Sequence, residues 1–326
     1  MKFIKTNWLQ KLGPGLLFAG AAIGVSHLVQ STRAGADFGF GLIWALILIH
    51  IIKYPFFQFG PRYATATGES LLDGYKKLGK GVLIAYYLLN FATMFTIQAA
   101  VTIVTAGLAS QLFGITGDLV IWSAILLLIS ATLLVIGRYK LLDNLMKYII
   151  LTLTISTIVA VTVAFFSTKN AFDITQVLPS GTGEITFLIA FLGWMPAPLD
   201  IAVWHSIWSI EKNKNTVLKT TPKEAIFDFN IGYLGTLFLG VCFVLLGALV
   251  MHHSGETFSE KGSEFASQLI NLYTKNLGEF SYLFIAIAAF TTMFSTTLTT
   301  FDASPRAMEK TTQLLFPKRT KLNYWF

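Results

Sequence analysis

Long apolar runs, each ended by a polar, glycine-rich or proline-rich connection, dominate the pattern along this chain. Eight such runs cover about 13–32, 40–60, 81–108, 118–137, 145–167, 185–206, 226–251 and 279–301. As helices rising 1.5 Å per residue, runs of about twenty residues match the roughly 30 Å hydrocarbon layer of a bilayer. The short alternating segments expected of a membrane barrel are absent. The pattern predicts an all-α polytopic membrane protein.

Composition agrees, with 54% hydrophobic and 13% charged residues, 28 phenylalanines and a mean hydropathy of +0.64; soluble domains run nearer 25% charged. No small-residue cleavage site follows the basic N-terminus, so the first run is expected to be retained. Cys242 stands alone in an apolar run, which excludes an intrachain disulfide and a cysteine metal cluster. The net charge of +7 is a matter of topology. With the N-terminus cytoplasmic, 19 of the 24 Lys and Arg residues fall on the inner side, four fall outside and Lys53 lies within a span. That is the positive-inside skew of a multi-pass protein of the cell inner (plasma) membrane, with no call for nucleic acid as a partner.

The informative positions are polar or helix-breaking ones inside the runs. The first reads "GPGLLFAGAAIGVSHLVQSTRAG", where Gly20, Gly24, Ser26, His27, Gln30, Ser31 and Thr32 interrupt the second half. Such residues suit either close helix packing or a helix that unwinds around a solute. The sixth run contains "GWMPAPLD" from Gly193 to Asp200. Pro196 and Pro198 each remove an amide donor and clash with the preceding turn, so carbonyls near 192–194 lose their helical partners. Inside a membrane, free carbonyls are tolerated only in a protein interior or a wet cavity. Discontinuous helices 1 and 6, five spans apart, are the pattern of an inverted-repeat transporter, with a first repeat over 1–170 and a partial second repeat of about three helices over 185–326. Met195 offers a soft thioether to a transition metal, or is ordinary core packing. Asp200 and His205 follow; Lys53 either snorkels or pairs with Asp200 or Asp302. Asn90, Thr93, Thr96, Gln98, Thr102 and Thr105 form a polar stripe on the third run, and the eighth, "FTTMFSTTLTTFDASPRAMEK", is threonine-rich.

"GPGLLFAGAAIG", "STRAGADFGFGLIW", "FGPRYATATGESLLDGY", "GWMPAPLD" and "TTLTTFDASPRAM" together resemble the natural resistance-associated macrophage protein (Nramp) family. The resemblance implies a LeuT-like fold and import of divalent transition metals, Mn²⁺ or Fe²⁺, coupled to protons. The family's first-helix motif of aspartate, proline, glycine and asparagine falls on Gly24, Val25, Ser26 and His27, so both oxygen ligands are missing. Its sixth-helix methionine falls on Met195 and its carbonyl contributor on Leu192. Ala197 stands where the family usually has a histidine, and no acid in the third span matches the family's proton relay. Family members have about eleven spans, so a C-terminally shortened chain with an incomplete second repeat is expected.

The expected pathway therefore comprises Gly24, Ser26, His27, Gln98, Leu192, Met195, Pro196, Ala197, Asp200 and Asp302, with His27, Met195 and Asp200 as metal ligands. The partners implied are membrane lipid, a divalent cation as cargo and protons; no resident cofactor is expected. Two other readings stay open: a transporter of a small organic cation or amino acid on the same fold, and a noncatalytic membrane receptor or assembly subunit. No nucleotide-binding motif or nucleophile constellation points to an enzyme.

Overall fold

The computed structural model describes residues 12–167, 173–217, 219–252 and 279–317, with scattered positions between 254 and 271. The expected eighth run begins at the start of the last described segment; most of the connection before that run, and residues 318–326, lie outside the described residues. Among the described residues the regular structure is helical throughout.

Helix α1 (Pro14–Ala22) begins with Pro14 in its first turn, where a missing amide hydrogen costs nothing. It stops at Ala22, and a π-helical turn (Ser26–Ser31) leads into α2 (Thr32–Phe38). The two halves are bent by 50° at this break. Helix α3 (Ile43–Thr67) ends on Gly68, whose left-handed φ of 73° suits a residue without Cβ. A short helix, α4 (Leu71–Leu78), opens with a capping box in which Ser70 and Asp73 satisfy each other's backbone amides. Helix α5 (Lys80–Phe113) is 34 residues long, well beyond the third expected run.

The fourth and fifth expected runs join into one helical segment, α6 (Leu119–Ser167), whose membrane-length halves are Leu119–Gly137 and Tyr139–Ser167. A Cβ on Gly137 would stand 2.2 Å from the Leu141 side chain. Residues four apart on a regular helix keep about 5–6 Å between Cβ atoms, so the chain folds tightly where the halves meet. The sixth run is the clearest departure from a simple span. It divides into α7 (Thr182–Trp194), whose 13 residues reach only about 20 Å, and α8 (Ile201–Asn215). Helix α9 (Pro222–Leu246) starts on a Thr221–Glu224 capping box, and α10 (Glu279–Leu315) closes the described chain.

Packing sorts these helices into two groups. Helices α1, α9, α3 and α8 pack in a ring, each against the next, while α5, α6 and α10 form a second set, which α1 meets along α10 and α6, α9 along α6 and α8 along α10. The α1–α9 contact is backbone on backbone: a Cβ on Gly15 would lie 2.1 Å from the Asp228 carbonyl oxygen, and one on Gly232 2.0 Å from the Gly15 carbonyl oxygen. Only glycine permits that approach. Ile51, Ile52, Phe56 and Phe59 on α3 and Leu88, Leu89, Phe91 and Phe95 on α5 point outward. On membrane-spanning helices such surfaces face acyl chains.

Candidate functional site

The two helix breaks face one cavity of about 380 Å³. Gly24, Val25 and Ser26 reach it from the first break and Gly193, Trp194 and Pro198 from the second. Asp200, Ile201 and Trp204 come from the start of α8, Ile97 and Val101 from α5, and Thr296 and Thr300 from α10. Its walls thus belong to both helix groups.

At the first break, side-chain hydroxyls receive the carbonyls that the helix releases. Ser295 Oγ donates to the Gly20 oxygen at 3.0 Å, and Thr296 Oγ1 is 3.2 Å from both the Gly20 and Ile23 oxygens. Ser26 Oγ donates to the Ala22 oxygen at 2.5 Å. Gly24 sits so tightly against α10 that a Cβ would lie 2.3 Å from Thr296 Oγ1.

The second break is closed differently. Lys53 Nζ, from α3, donates to the carbonyl oxygens of Gly193 at 2.7 Å, Met195 at 2.8 Å and Ala197 at 3.3 Å. Gly193 is in the last turn of α7, and Met195 and Ala197 follow in the break, so one ammonium bridges the end of α7 and the first half of the interruption. The sequence expectation that Lys53 snorkels or pairs with Asp200 or Asp302 is corrected: its partners are backbone carbonyls at the second break. A long basic residue mid-span, opposite a double-proline break, was the available signal.

The three expected metal ligands do not converge. Asp200 lines the cavity with its Oδ1 buried and without a hydrogen-bond partner. His27 is fully buried and turned toward α9, with Nε2 3.0 Å from the Thr236 oxygen and Nδ1 2.8 Å from Ser26 Oγ, so both ring nitrogens are engaged. Met195 also faces α9. Its Sδ accepts from Ser31 Oγ at 3.4 Å, and its methyl packs against Leu46 and the Cα face of Gly240. Among the described residues no group of three or more His, Cys, Asp or Glu is placed to hold a metal ion.

Of the other expected pathway residues, Gly24 and Ser26 line the cavity, whereas Leu192 packs in the cluster around Phe191 and Met195. Pro196 and Ala197 are buried within the break. Gln98 lies behind the cavity wall: its Oε1 accepts from Thr300 Oγ1 at 2.7 Å and its Nε2 donates to Thr102 Oγ1 at 3.1 Å. Asp302 is remote from both breaks, buried between Trp208 Nε1 at 2.9 Å and Arg306 Nε at 2.8 Å. The α5 stripe splits: Asn90, Thr102 and Thr105 are buried, but Thr93 and Thr96 are exposed and return their hydroxyls to carbonyls of their own helix. Sequence reasoning missed Trp204 and Thr296, because an aromatic residue and one threonine among many carry no distinguishing local pattern.

Comparison with known proteins follows from this geometry. Residues 15–321 match the family described as natural resistance-associated macrophage protein-like. An uncharacterised protein of Pasteurella multocida is 38% identical over 325 residues, covering 97% of this chain and 74% of its own. The fold is similar to that of a manganese transporter of Eremococcus coleocola, solved with an aromatic bis-isothiourea substituted compound, at 16% identity and a TM-score of 0.67. That match covers 97% of this chain and 66% of the transporter, so the chain spans a little under two thirds of its length. A nucleobase-cation-symport-1 family transporter, solved closed with bromovinylhydantoin bound, is similar at 17% identity and a TM-score of 0.68, over 96% of this chain and 69% of its own.

Proposed function

The chain belongs to the natural resistance-associated macrophage protein family, and on that premise we propose that it is a secondary transporter carrying divalent transition-metal cations, Mn²⁺ or Fe²⁺, inward by alternating access. The observation that carries this reading is the pair of helix breaks facing one cavity walled by both helix groups. Motion of α1, α3, α8 and α9 against α5, α6 and α10 would expose that cavity to each side of the membrane in turn. Interrupted helices supply backbone oxygens at mid-membrane, as ion-binding transporters require.

Asp200 supplies the negative charge, with the Ser26 hydroxyl and the backbone around Gly24 beside it in the cavity wall. A cation reaching Asp200 displaces any proton the carboxyl holds; release of that proton to the inner side, together with the metal, would couple the two inward. The excess of Lys and Arg in alternate connections supports a cytoplasmic N-terminus.

The test is uptake by the 326-residue protein in liposomes carrying a metal-sensitive dye and, separately, a pH-sensitive dye. Saturable Mn²⁺ or Fe²⁺ uptake with accompanying acidification is expected, with little uptake of Mg²⁺. No saturable uptake of any divalent ion, joined to no calorimetric binding, sinks the metal reading. Metal uptake without acidification removes the proton alone.

A further inference from the structure

Besides a carboxylate that can meet a metal ion, the cavity has the features of a pocket for an organic molecule with one positive end. Its hydroxyl hydrogens are committed: that of Ser26 to the Ala22 oxygen, that of Thr296 to the Gly20 or Ile23 oxygen and that of Thr300 to Gln98 Oε1. Much of the remaining wall is aliphatic, including Val25, Ile97, Val101 and Ile201. One ionisable group is left, Asp200, with its Oδ1 buried and unpartnered. Trp204, only 3% exposed and with its own Nε1–H unpartnered, lies one turn further along α8, and Trp194 lines the same cavity from the end of α7.

Each of these features has a chemical counterpart. A buried carboxylate oxygen without a donor is costly until a cation or a donor reaches it. Indole faces attract ammonium groups through the ring quadrupole. A volume of about 380 Å³ falls within the roughly 300–1,000 Å³ of small-molecule pockets. A divalent ion that keeps part of its water needs few ligands from the wall, so the same Asp200 can meet a metal ion or the charged end of an amine.

We propose that the cavity binds a small organic ammonium ion: a protonated amine whose charged end meets Asp200 and whose apolar body lies against Trp194, Trp204, Val25 and Ile97. The assignment rests on reading this cavity as the solute site and extends its ligands from metal ions to amines.

The experiment is equilibrium binding to the full chain in nanodiscs, by calorimetry and tryptophan fluorescence. The probes are methylammonium, butylammonium and phenethylammonium chloride, with 2-phenylethanol as the neutral counterpart of the last. Affinity is expected to rise along the amine series, and the alcohol to bind at least about tenfold more weakly than phenethylammonium. Asp200→Asn is expected to weaken phenethylammonium by a similar factor. Absence of saturable amine binding overturns the proposal. Equal binding of amine and alcohol also overturns it, by reducing the cavity to an apolar hole. If Asp200→Asn fails to fold, the amine and alcohol pair on the unaltered protein decides alone. Mn²⁺ uptake without amine binding sinks this inference and leaves the metal reading intact; amine binding without metal uptake does the reverse.

Discussion

The first and the sixth expected spans are interrupted on opposite sides of the same cavity, yet their freed backbone groups are satisfied by different means. The first break is neutral: serine and threonine hydroxyls of α10, together with Ser26, take the carbonyls of Gly20, Ala22 and Ile23. The second is cationic: one lysine of α3 takes those of Gly193, Met195 and Ala197. The neutral break is therefore locked across the two helix groups, whereas the cationic break is locked within one group. Motion between the groups would have to unmake the first set of bonds while the second travels intact with α3 and α8.

That difference is tested most severely at Lys53. Lys53→Met keeps the apolar stem and leaves three carbonyls without a donor, at roughly 1–3 kcal/mol for each that cannot find another partner. The expected outcome is a loss of about 3 kcal/mol or more, read as a lower midpoint of thermal unfolding in detergent. Lys53→Arg retains the charge and donors and is expected to recover much of that loss. An unchanged midpoint for Lys53→Met would show that the carbonyls are readily hydrated, and the two breaks would then be alike.

Next in size is the neutral break. Gly24→Ala places a Cβ where Thr296 Oγ1 stands, 2.3 Å away, and overpacking of this kind costs about 1–3 kcal/mol. Because the contact joins the two groups, transport should fall further than stability does. A Gly24→Ala, Thr296→Ala double variant should regain transport relative to Gly24→Ala; additive losses would mean that the two residues do not meet.

Much of this architecture is legible in the sequence, and the limits of that reading are physical. Pro196 and Pro198 mark the second break, since no helix interior accommodates both. Gly24 with Ser26 and His27 marks the first, because polar and small residues in a lipid-length run need a protein-side reason. Asp200 is legible as the one acid near the break. What local pattern does not carry is direction. His27 and Met195 have the chemistry of ligands and sit at the breaks, but the π-helical turn and the extended stretch rotate both toward α9, where Thr236 and Gly240 receive them, with Ser31 of the π-helical turn bonding the Met195 sulfur. Direction at an irregular backbone depends on the helix opposite, which periodicity does not encode. The split of the α5 stripe has the same origin, since a threonine that bonds its own preceding turn satisfies itself and can face lipid.

The N-terminal root of α1 sharpens the comparison on a smaller scale. Asp228, on α9, accepts from the Gly13 and Gly15 amides at 3.0 and 2.9 Å, holding the start of α1 within its own group while its end is held by α10. Asp228→Asn exchanges one acceptor oxygen for a donor and should cost about 1.5–3 kcal/mol, the worth of a charged hydrogen bond. Hydrogen exchange localises the effect: protection should fall around Gly15–Leu17 and persist around Trp208. Equal loss at both places would make Asp228 a general packing residue.

Met195 gives the smallest expected effect and the most discriminating one. Met195→Leu nearly conserves volume and should cost less than about 1.5 kcal/mol. It removes the sulfur that accepts from Ser31, a weak bond at 3.4 Å between the two breaks. If the sulfur stays turned toward α9 through the transport cycle, the ratio of Mn²⁺ to Mg²⁺ uptake should change by less than about twofold, because a soft ligand that never meets the ion cannot select it. A larger fall in that ratio, with the unfolding midpoint unchanged, would mean that the extended stretch rotates when the cavity is loaded. The cationic break would then be the mobile one, and the contrast between the two breaks would have to be reversed.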